Sequence, residues 1–538
     1  MTVRGTNLRE AYGKRTGAVV ACGDRFLTVE SLQAVVDSLS EALRQAGARP
    51  GDRVAALFPN CHLHLAAYFA ALQERLILAP LNLRWQASEI SEVLRHAGAR
   101  LLIGGEGHLA ALGFAGAPIA GRSGQPGEAA GGQPADRPAG RRPADLDDAD
   151  CRIAATGVSP AEADAVTPAA GTAHLYYTSG TTGRPKGVIL TRDNLLAHVA
   201  MTLEELRIDE RDVWLHAAPM FHLADAWAIW TVTAAAGRHV MLKHFDPAAA
   251  LDLIEREGVT MTNLIPAMIP GLLDEAERRR VRPASLRLLL SGGAPIAPRL
   301  VERIETVLGC PYVQTYGLTE TSPFLTFSIL DDAQRRLPKA EQRRLRARTG
   351  RAARGIELRV VQPVGADHFE DVPRDDTTAG EVVVRGATVT SGYWRDEAAT
   401  RAAFGGGWFH TGDLGTIDRN GSLNLVDRAK DVIITGGESV YSIEVESVLH
   451  AHPAVVEVAV FGVPDDRWGE AVRAAVVLRD RPACSDDELH AFCAERLAPY
   501  KCPRRIDRHA ALPRTGSGKI DKKGLREPFW LGHRRRIN

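Results

Sequence analysis

At 538 residues the chain exceeds what one hydrophobic core can serve, so two or more domains are expected. Its 66 lysines plus arginines equal its 66 aspartates plus glutamates, which leaves no net field for nucleic acid or an anionic membrane and favours a small-molecule partner. The seven cysteines form no C-x-x-C pair, no apolar run has the length of a membrane span, and the first residues lack an apolar secretion core, so reduced thiols without a metal and a soluble cytoplasmic protein are expected. From about Phe26 to Ile103 helix and strand patterns alternate: "TVESLQAVVDSLSEALRQAG" is amphipathic, "DRVAALF" is a short apolar strand, and "HLHLAAYFAALQERL" is again helical. Such alternation points to an α/β layer architecture.

Roughly Gly113 to Ala170 is Ala, Gly, Pro and Asp in no period, a stretch that cannot bury enough apolar surface to order itself. It reads as a flexible surface insertion. The strand "AHLYYTS" then leads into "YTSGTTGRPKG", residues 177–187. Glycines let successive N–H groups turn into a concave site for anionic oxygens, while Ser179, Thr181 and Thr182 add hydroxyl donors and Lys186 a point charge. The inventory suits a polyphosphate. It is no Walker A loop, because Pro185 stands where that motif needs a glycine. Taken alone, such a run reads first as a solvated linker between strand and helix. After it, "GVILTRDNLLAHVAM" is a short strand and a helix with Thr191 or Asp193 as cap. "LRLLLSGGAPI" and "PYVQTYGLTE" each run from an apolar strand into a Gly-bearing turn, and ligands on α/β sheets collect at such strand ends. "GEVVVRG" and "GSLNLVDRAKDVIITGG" read as β-hairpin material, and the last hundred residues as a small α+β unit.

With those segments in view the chain resembles the adenylate-forming superfamily of acyl-CoA synthetases, peptide-synthetase adenylation domains and firefly luciferase. Seven motifs carry the resemblance in order: "YTSGTTGRPKG" at 177, "PMFH" at 219, "SGGAP" at 291, "YGLTET" at 316, "TGD" at 411, "DRAKDVIITGG" at 427 and "PRTGSGKI" at 513. It implies a large multi-layer N-terminal domain of β-sheets and helices over 1–426, a hinge at 427–431, and a small mobile α+β domain over 432–538.

The resemblance also implies roles. ATP's departing phosphates would lie on Thr178, Ser179, Gly180, Thr181, Thr182, Gly183 and Lys186, with Thr319 at the α-phosphate and Glu320 positioning Mg²⁺. Gly293, Ala294, Pro295 and Tyr316 would flank adenine, Gln314 would lie at its edge, and Asp413 would accept from the ribose hydroxyls with Arg428 nearby. Lys519 would bridge the attacking carboxylate and the α-phosphate, Lys430 would be the hinge, and Gly436 and Gly437 would border the pantetheine of coenzyme A. His222 would shape the acid site. Without the ordered motif set, Lys519 and Lys430 read as solvated charges, and His222, Met220, Phe221, Trp227 and Trp230 as core.

Three departures stand out: the insertion has no counterpart in the motifs, Ser439 and Ser442 replace a common Asn and Pro, and Asp225 lies where apolar residues are usual. A buried carboxylate must be paired or neutral, so Asp225 either recognises a polar substituent or faces water behind the site. The implied activity is conversion of a hydrophobic fatty or aryl acid to acyl-AMP and then to its CoA thioester. Loading of a carrier protein and a catalytically silent homologue are the alternatives. A homodimer stays open, and "HRRRIN" at the end reads as a solvated tail.

Overall fold

A computed structural model describes residues 8–13, 15–119, 150–164, 168–179, 185–364, 368–479, 484–515, 520–531 and 533. They divide into two compact units, one of residues up to Thr262 with Thr390–Glu397, the other of Asn263–Val389 with residues from Ala398 on.

In the first unit, α1 (Val29–Gln45) starts where the Thr28 hydroxyl accepts from the Ser31 N–H, and its Leu32, Val36, Leu39 and Leu43 recur at helical spacing on one buried face. The apolar run "RVAAL" forms β1 (Arg53–Leu57), buried throughout, and α2 (His62–Gln73) is buried from His62 to Ala71, as a helix apolar on every side should be. Parallel pairing joins β1 to β2 (Ile77–Pro80) and β3 (Ala99–Gly105). Next come β4 (Cys151–Ala155), antiparallel to β3, and the hairpin of β5 (Thr172–Ser179) and β6 (Pro185–Thr191), with β5 parallel to β2.

β4 corrects part of the expected flexible insertion. Cys151 and Ile153 are buried on this strand, so the C-terminal margin of the Gly113 to Ala170 stretch is woven into the sheet. Alternating apolar residues in "CRIAA" are too few to stand out beside the Gly/Pro-rich run before them. Residues 120–149 lie outside the described residues.

Thr191 caps α3 (Arg192–Leu206) in a capping box with Asn194, as the sequence predicts for one of its two candidates. A second, parallel set of strands follows: β7 (Val213–His216) beside β8 (Arg238–Met241), with α4 (Leu223–Ala234) crossing between them. Tyr68 and Phe69 of α2 meet Trp230 of α4 edge to face, with ring centroids 6.1 and 5.1 Å apart. Histidines are unusually frequent in this interior: His62, His64, His174, His198, His216 and His239 are all buried.

The second unit carries β9 (Leu288–Gly292), parallel to β10 (Tyr312–Gly317), followed by antiparallel β11 (Phe324–Phe327). β12 (Gly380–Gly386), β13 (Trp408–Ile417) and β14 (Ser422–Arg428) extend it as antiparallel neighbours. The hairpin material read in "GSLNLVDRAKDVIITGG" belongs to two hairpins. β14 pairs with β13, a 3₁₀ turn over Ala429–Asp431 breaks the strand, and β15 (Ile433–Thr435) starts another sheet with β16 (Glu438–Val440). That sheet continues with β17 (Val455–Asp465) and β18 (Gly469–Leu478), flanked by α5 (Ser442–His450) and α6 (Lys522–Trp530).

Candidate active site

In the first unit the β5–β6 hairpin holds the hydroxyl and lysine motif at its tip. Thr178 pairs in register with Lys186, and Gly180 to Gly183 lie outside the described residues, as does the side chain of Ser179. The Lys186 ammonium sits 5.1 Å above the Tyr393 ring, a cation–π contact that aims it without neutralising it. His222 is the N-cap of α4, its Nδ1 accepting from the Ala224 N–H at 3.2 Å. Met220, Phe221, Trp227 and Trp230 are all buried.

Asp225 neither faces water nor stands free. Its Oδ2 lies 2.6 Å from His216 Nδ1, its Oδ1 accepts from Trp214 Nε1 at 3.3 Å, and no part of it is exposed. The chain continues from His216 Nε2 to His239 Nδ1 at 2.9 Å and from His239 Nε2 to Thr233 Oγ1 at 3.0 Å. Burial pulls the His239 ring far below the usual histidine range, so it serves this chain as a neutral donor and acceptor. A sequence shows an aspartate where apolar residues are usual; it does not show His216 bonded to it and His239, from a neighbouring strand, stacked on His216.

In the second unit several of the residues expected around a nucleotide contact one another. Gln314 on β10 donates through Nε2 to the Ala294 carbonyl at 2.9 Å and accepts at Oε1 from the Tyr312 hydroxyl. Its amide thereby holds the exposed Gly293–Pro295 turn at the end of β9. The Tyr316 hydroxyl donates to Asp413 Oδ2 at 2.9 Å, and Arg428 Nε approaches Asp413 Oδ1 at 3.1 Å. Burial first, then the Asp413 charge, push the Tyr316 hydroxyl well above the usual tyrosine range, so it remains a donor. The turn bearing Asp413 is itself pinned: the Thr411 hydroxyl donates to the Val382 carbonyl and accepts from the Asp413 N–H. Arg428, expected beside the ribose, is here committed to Asp413.

Gly317 ends β10 because a Cβ there would overlap the Pro323 carbonyl oxygen. The 3₁₀ turn Thr319–Thr321 follows, half exposing Thr319 and Glu320. Among the described residues no group of three or more His, Cys, Asp or Glu could cage a metal. A single carboxylate fits Mg²⁺ all the same, since that ion keeps phosphate and water ligands and needs only one or two carboxylates from the protein.

Further along, Gly436 and Gly437 are the two central residues of the β15–β16 hairpin, with φ of +62° and +87°. A Cβ on Gly436 would come within 2.7 Å of the Trp468 ring, and the Gly436 N–H donates to the Trp468 carbonyl at 2.8 Å. Lys430 lies exposed in the turn Ala429–Asp431. Lys519 lies outside the described residues, but its flanks are fixed: Arg514 and Ile520 pair across the loop, and the Asp521 N–H donates to the Pro513 carbonyl at 2.8 Å. Three residues beyond, Lys522 Nζ reaches Glu446 Oε1 at 2.6 Å and Ser442 Oγ at 2.8 Å. Ser442 Oγ in turn donates to buried Asp427 at 3.0 Å. Burial raises the Asp427 and Glu446 carboxyls, with Lys522 opposing; burial works against the Lys522 charge, but the two carboxylates outweigh it and raise its pKa.

Sequence reasoning missed Tyr393, Trp468 and Lys522, which carry no motif of their own, and Asn60, treated below.

Known proteins resemble the chain over nearly its whole length. The profile of AMP-binding enzymes matches residues 8–394, and that of the AMP-binding enzyme C-terminal domain matches residues 444–519. A feruloyl-CoA synthase from Amycolatopsis sp is 38% identical over 526 residues, covering 97% of this chain and 98% of the relative. The long-chain-fatty-acid–CoA ligase FadD13 of Mycobacterium tuberculosis is 33% identical over 513 residues, 94% of each chain. Among solved structures, ATP-bound MatB from Rhodopseudomonas palustris superposes with a TM-score of 0.79 at 27% identity, covering 98% of this chain and all of that one.

Proposed function

The chain belongs to the AMP-binding enzymes, and on that basis we propose the acid, the residues and the motion with which it works as an ATP-dependent, AMP-forming acid–thiol ligase. The carboxylate oxygen attacks the α-phosphorus of ATP and pyrophosphate leaves; the CoA sulfur then attacks the acyl carbon, its proton is lost, and AMP leaves with the carboxyl oxygen. Both first reactants are anions. The catalyst must therefore cancel their repulsion and stabilise charge as it spreads in the transition state.

The observation that carries the assignment of residues is the Tyr316–Asp413–Arg428 group beside the turn that Gln314 holds. A carboxylate fixed by a neutral hydroxyl and a guanidinium is a preorganised acceptor for a ribose diol. Lys186 and the hairpin tip take the departing phosphates, Thr319 the α-phosphate, and Glu320 holds Mg²⁺, which when bound neutralises phosphate charge. Lys519 bridges carboxylate and α-phosphate in the first step, and rotation at Lys430 replaces it with the Gly436–Gly437 turn in the second. The acid is hydrophobic and monocarboxylic, aryl or fatty. Feruloyl and long-chain fatty ligases among the relatives support both classes, and His222 on its cap would border it. No helix among the described residues is long and apolar enough to cross a membrane, and seven free thiols favour a reducing compartment, the cytoplasm.

The test is CoA-dependent AMP release with ATP and Mg²⁺ across benzoate, cinnamate, ferulate, octanoate and palmitate, run beside Lys519→Ala. One clear optimum is expected, with the variant unable to form acyl-AMP yet still passing preformed acyl-AMP to CoA. Loss of both steps would remove Lys519 from its role. A fatty acid–[acyl-carrier-protein] ligase, ScoC of Streptomyces coeruleorubidus, is 34% identical over 532 residues, so a holo carrier protein belongs in the assay. AMP release that needs the carrier and ignores CoA would favour that second reading.

A further inference from the structure

The turn from Ala217 to His222 leaves the carboxyl end of a parallel strand, β7, which is where open α/β sheets gather their ligands. Ala217 and Ala218 are buried and have no side chain able to pair the backbone around them. Buried N–H and C=O groups must nevertheless find partners. They find them on Asn60, between β1 and α2 and 4% exposed. Its Nδ2 donates to the His216 carbonyl at 2.9 Å and to the Ala218 carbonyl at 2.8 Å, while its Oδ1 accepts from the Met220 N–H at 2.8 Å. One amide holds three alternate residues of the turn. The Tyr68 hydroxyl adds a fourth bond, to the Met220 carbonyl at 2.9 Å. From the other side, the buried Asp225–His216–His239–Thr233 chain fixes the ring of the residue that opens the turn.

We propose that Asn60 is a positioning residue for acid binding: by clamping residues 216, 218 and 220 it sets where His222 stands at the start of α4. The inference rests on the reading that His222 borders the acid. The side chain is the only common one that suits the place, because aspartate cannot donate to two carbonyls, and glutamine carries its amide one methylene further out.

The test compares the wild-type chain with Asn60→Ser, Asn60→Asp and Tyr68→Phe, using Thr191→Ala, which loses a helix cap elsewhere in the unit, as a control for plain destabilisation. Two readouts are taken: KM for acid and for ATP from acid-dependent exchange of pyrophosphate into ATP with ferulate, cinnamate, benzoate and octanoate, and deuterium uptake over residues 213–222. The Asn60 variants should raise the acid KM at least about tenfold, leave the ATP KM within about twofold, and speed uptake in that segment. Tyr68→Phe should raise the acid KM about threefold and carries the measurement if the Asn60 variants do not fold. Thr191→Ala should lower the melting temperature and move neither KM. An unchanged acid KM, or equal rises in both KM values, overturns the inference. Failure of the wild-type chain to exchange pyrophosphate with any of the acids overturns the acid-site reading and this inference with it, which a silent Asn60 variant beside an active wild type does not.

Discussion

Asp413 is 5% exposed and accepts from Tyr316 while pairing with Arg428, so its charge is held in place before any ligand arrives. A ribose that donates to such a carboxylate needs no reorganisation of the protein, which is the physical content of preorganisation. Asp413→Ala removes the acceptor and leaves a buried phenol and a guanidinium facing one another. Tyr316→Phe removes only one of the donors that orient it. We expect the first to raise the KM for ATP on the order of a hundredfold and the second about tenfold, with the KM for acid nearly constant in both. Equal effects on the two substrates would show that the group supports the fold and not the nucleotide.

Among elements, the link from β14 to α5 and α6 runs through four side chains. Asp427 is the penultimate residue of β14, Ser442 and Glu446 lie on α5, and Lys522 opens α6. Removing the cation while leaving two sheltered carboxylates is costly, whereas removing a charge of each sign is not. Lys522→Met should therefore destabilise by at least about 2 kcal/mol, and adding Glu446→Gln should return most of it; denaturant melts of the two variants and the double decide. Strict additivity would mean that the pair is not coupled. The elements themselves were legible in the sequence. Period and caps announced α1, the β5–β6 strands and α3, and apolar runs ending in glycine announced β9 and β10, because those signals are local. The contacts of Gln314 with Ala294 and of Tyr316 with Asp413 join residues that the motifs had already singled out. Lys522, Trp468 and the histidines linked to Asp225 were not legible, since each gains its meaning from a partner on another element and shows no periodicity of its own.

At the scale of the whole molecule, the histidines of the first unit tie its stability to pH. Burial pulls His64, His174 and His198 down to about 3. Each is neutral when folded, whereas in the unfolded chain it takes up a proton below its ordinary value of about 6.5. The unfolded state thus binds more protons as pH falls, so stability is complete above about 6.5 and declines from there toward 3. At pH 5 the loss is about 2 kcal/mol for each residue and about 6 for the three, comparable with the entire stability of many domains. Thermal melts at pH 7.5 and pH 5 should differ by many degrees. A melting temperature unchanged at pH 5 would refute this.

The clamp at Asn60 bears also on how the chain assembles. Its bonds to 216, 218 and 220 span 156, 158 and 160 residues of sequence, so they close a very long loop and can form only after the strands at both ends have met. The bend before His222 has no local route to its shape. A fragment beginning at Thr172 would keep all seven motifs by which the family is recognised, and would have lost the amide that gives one of them its form.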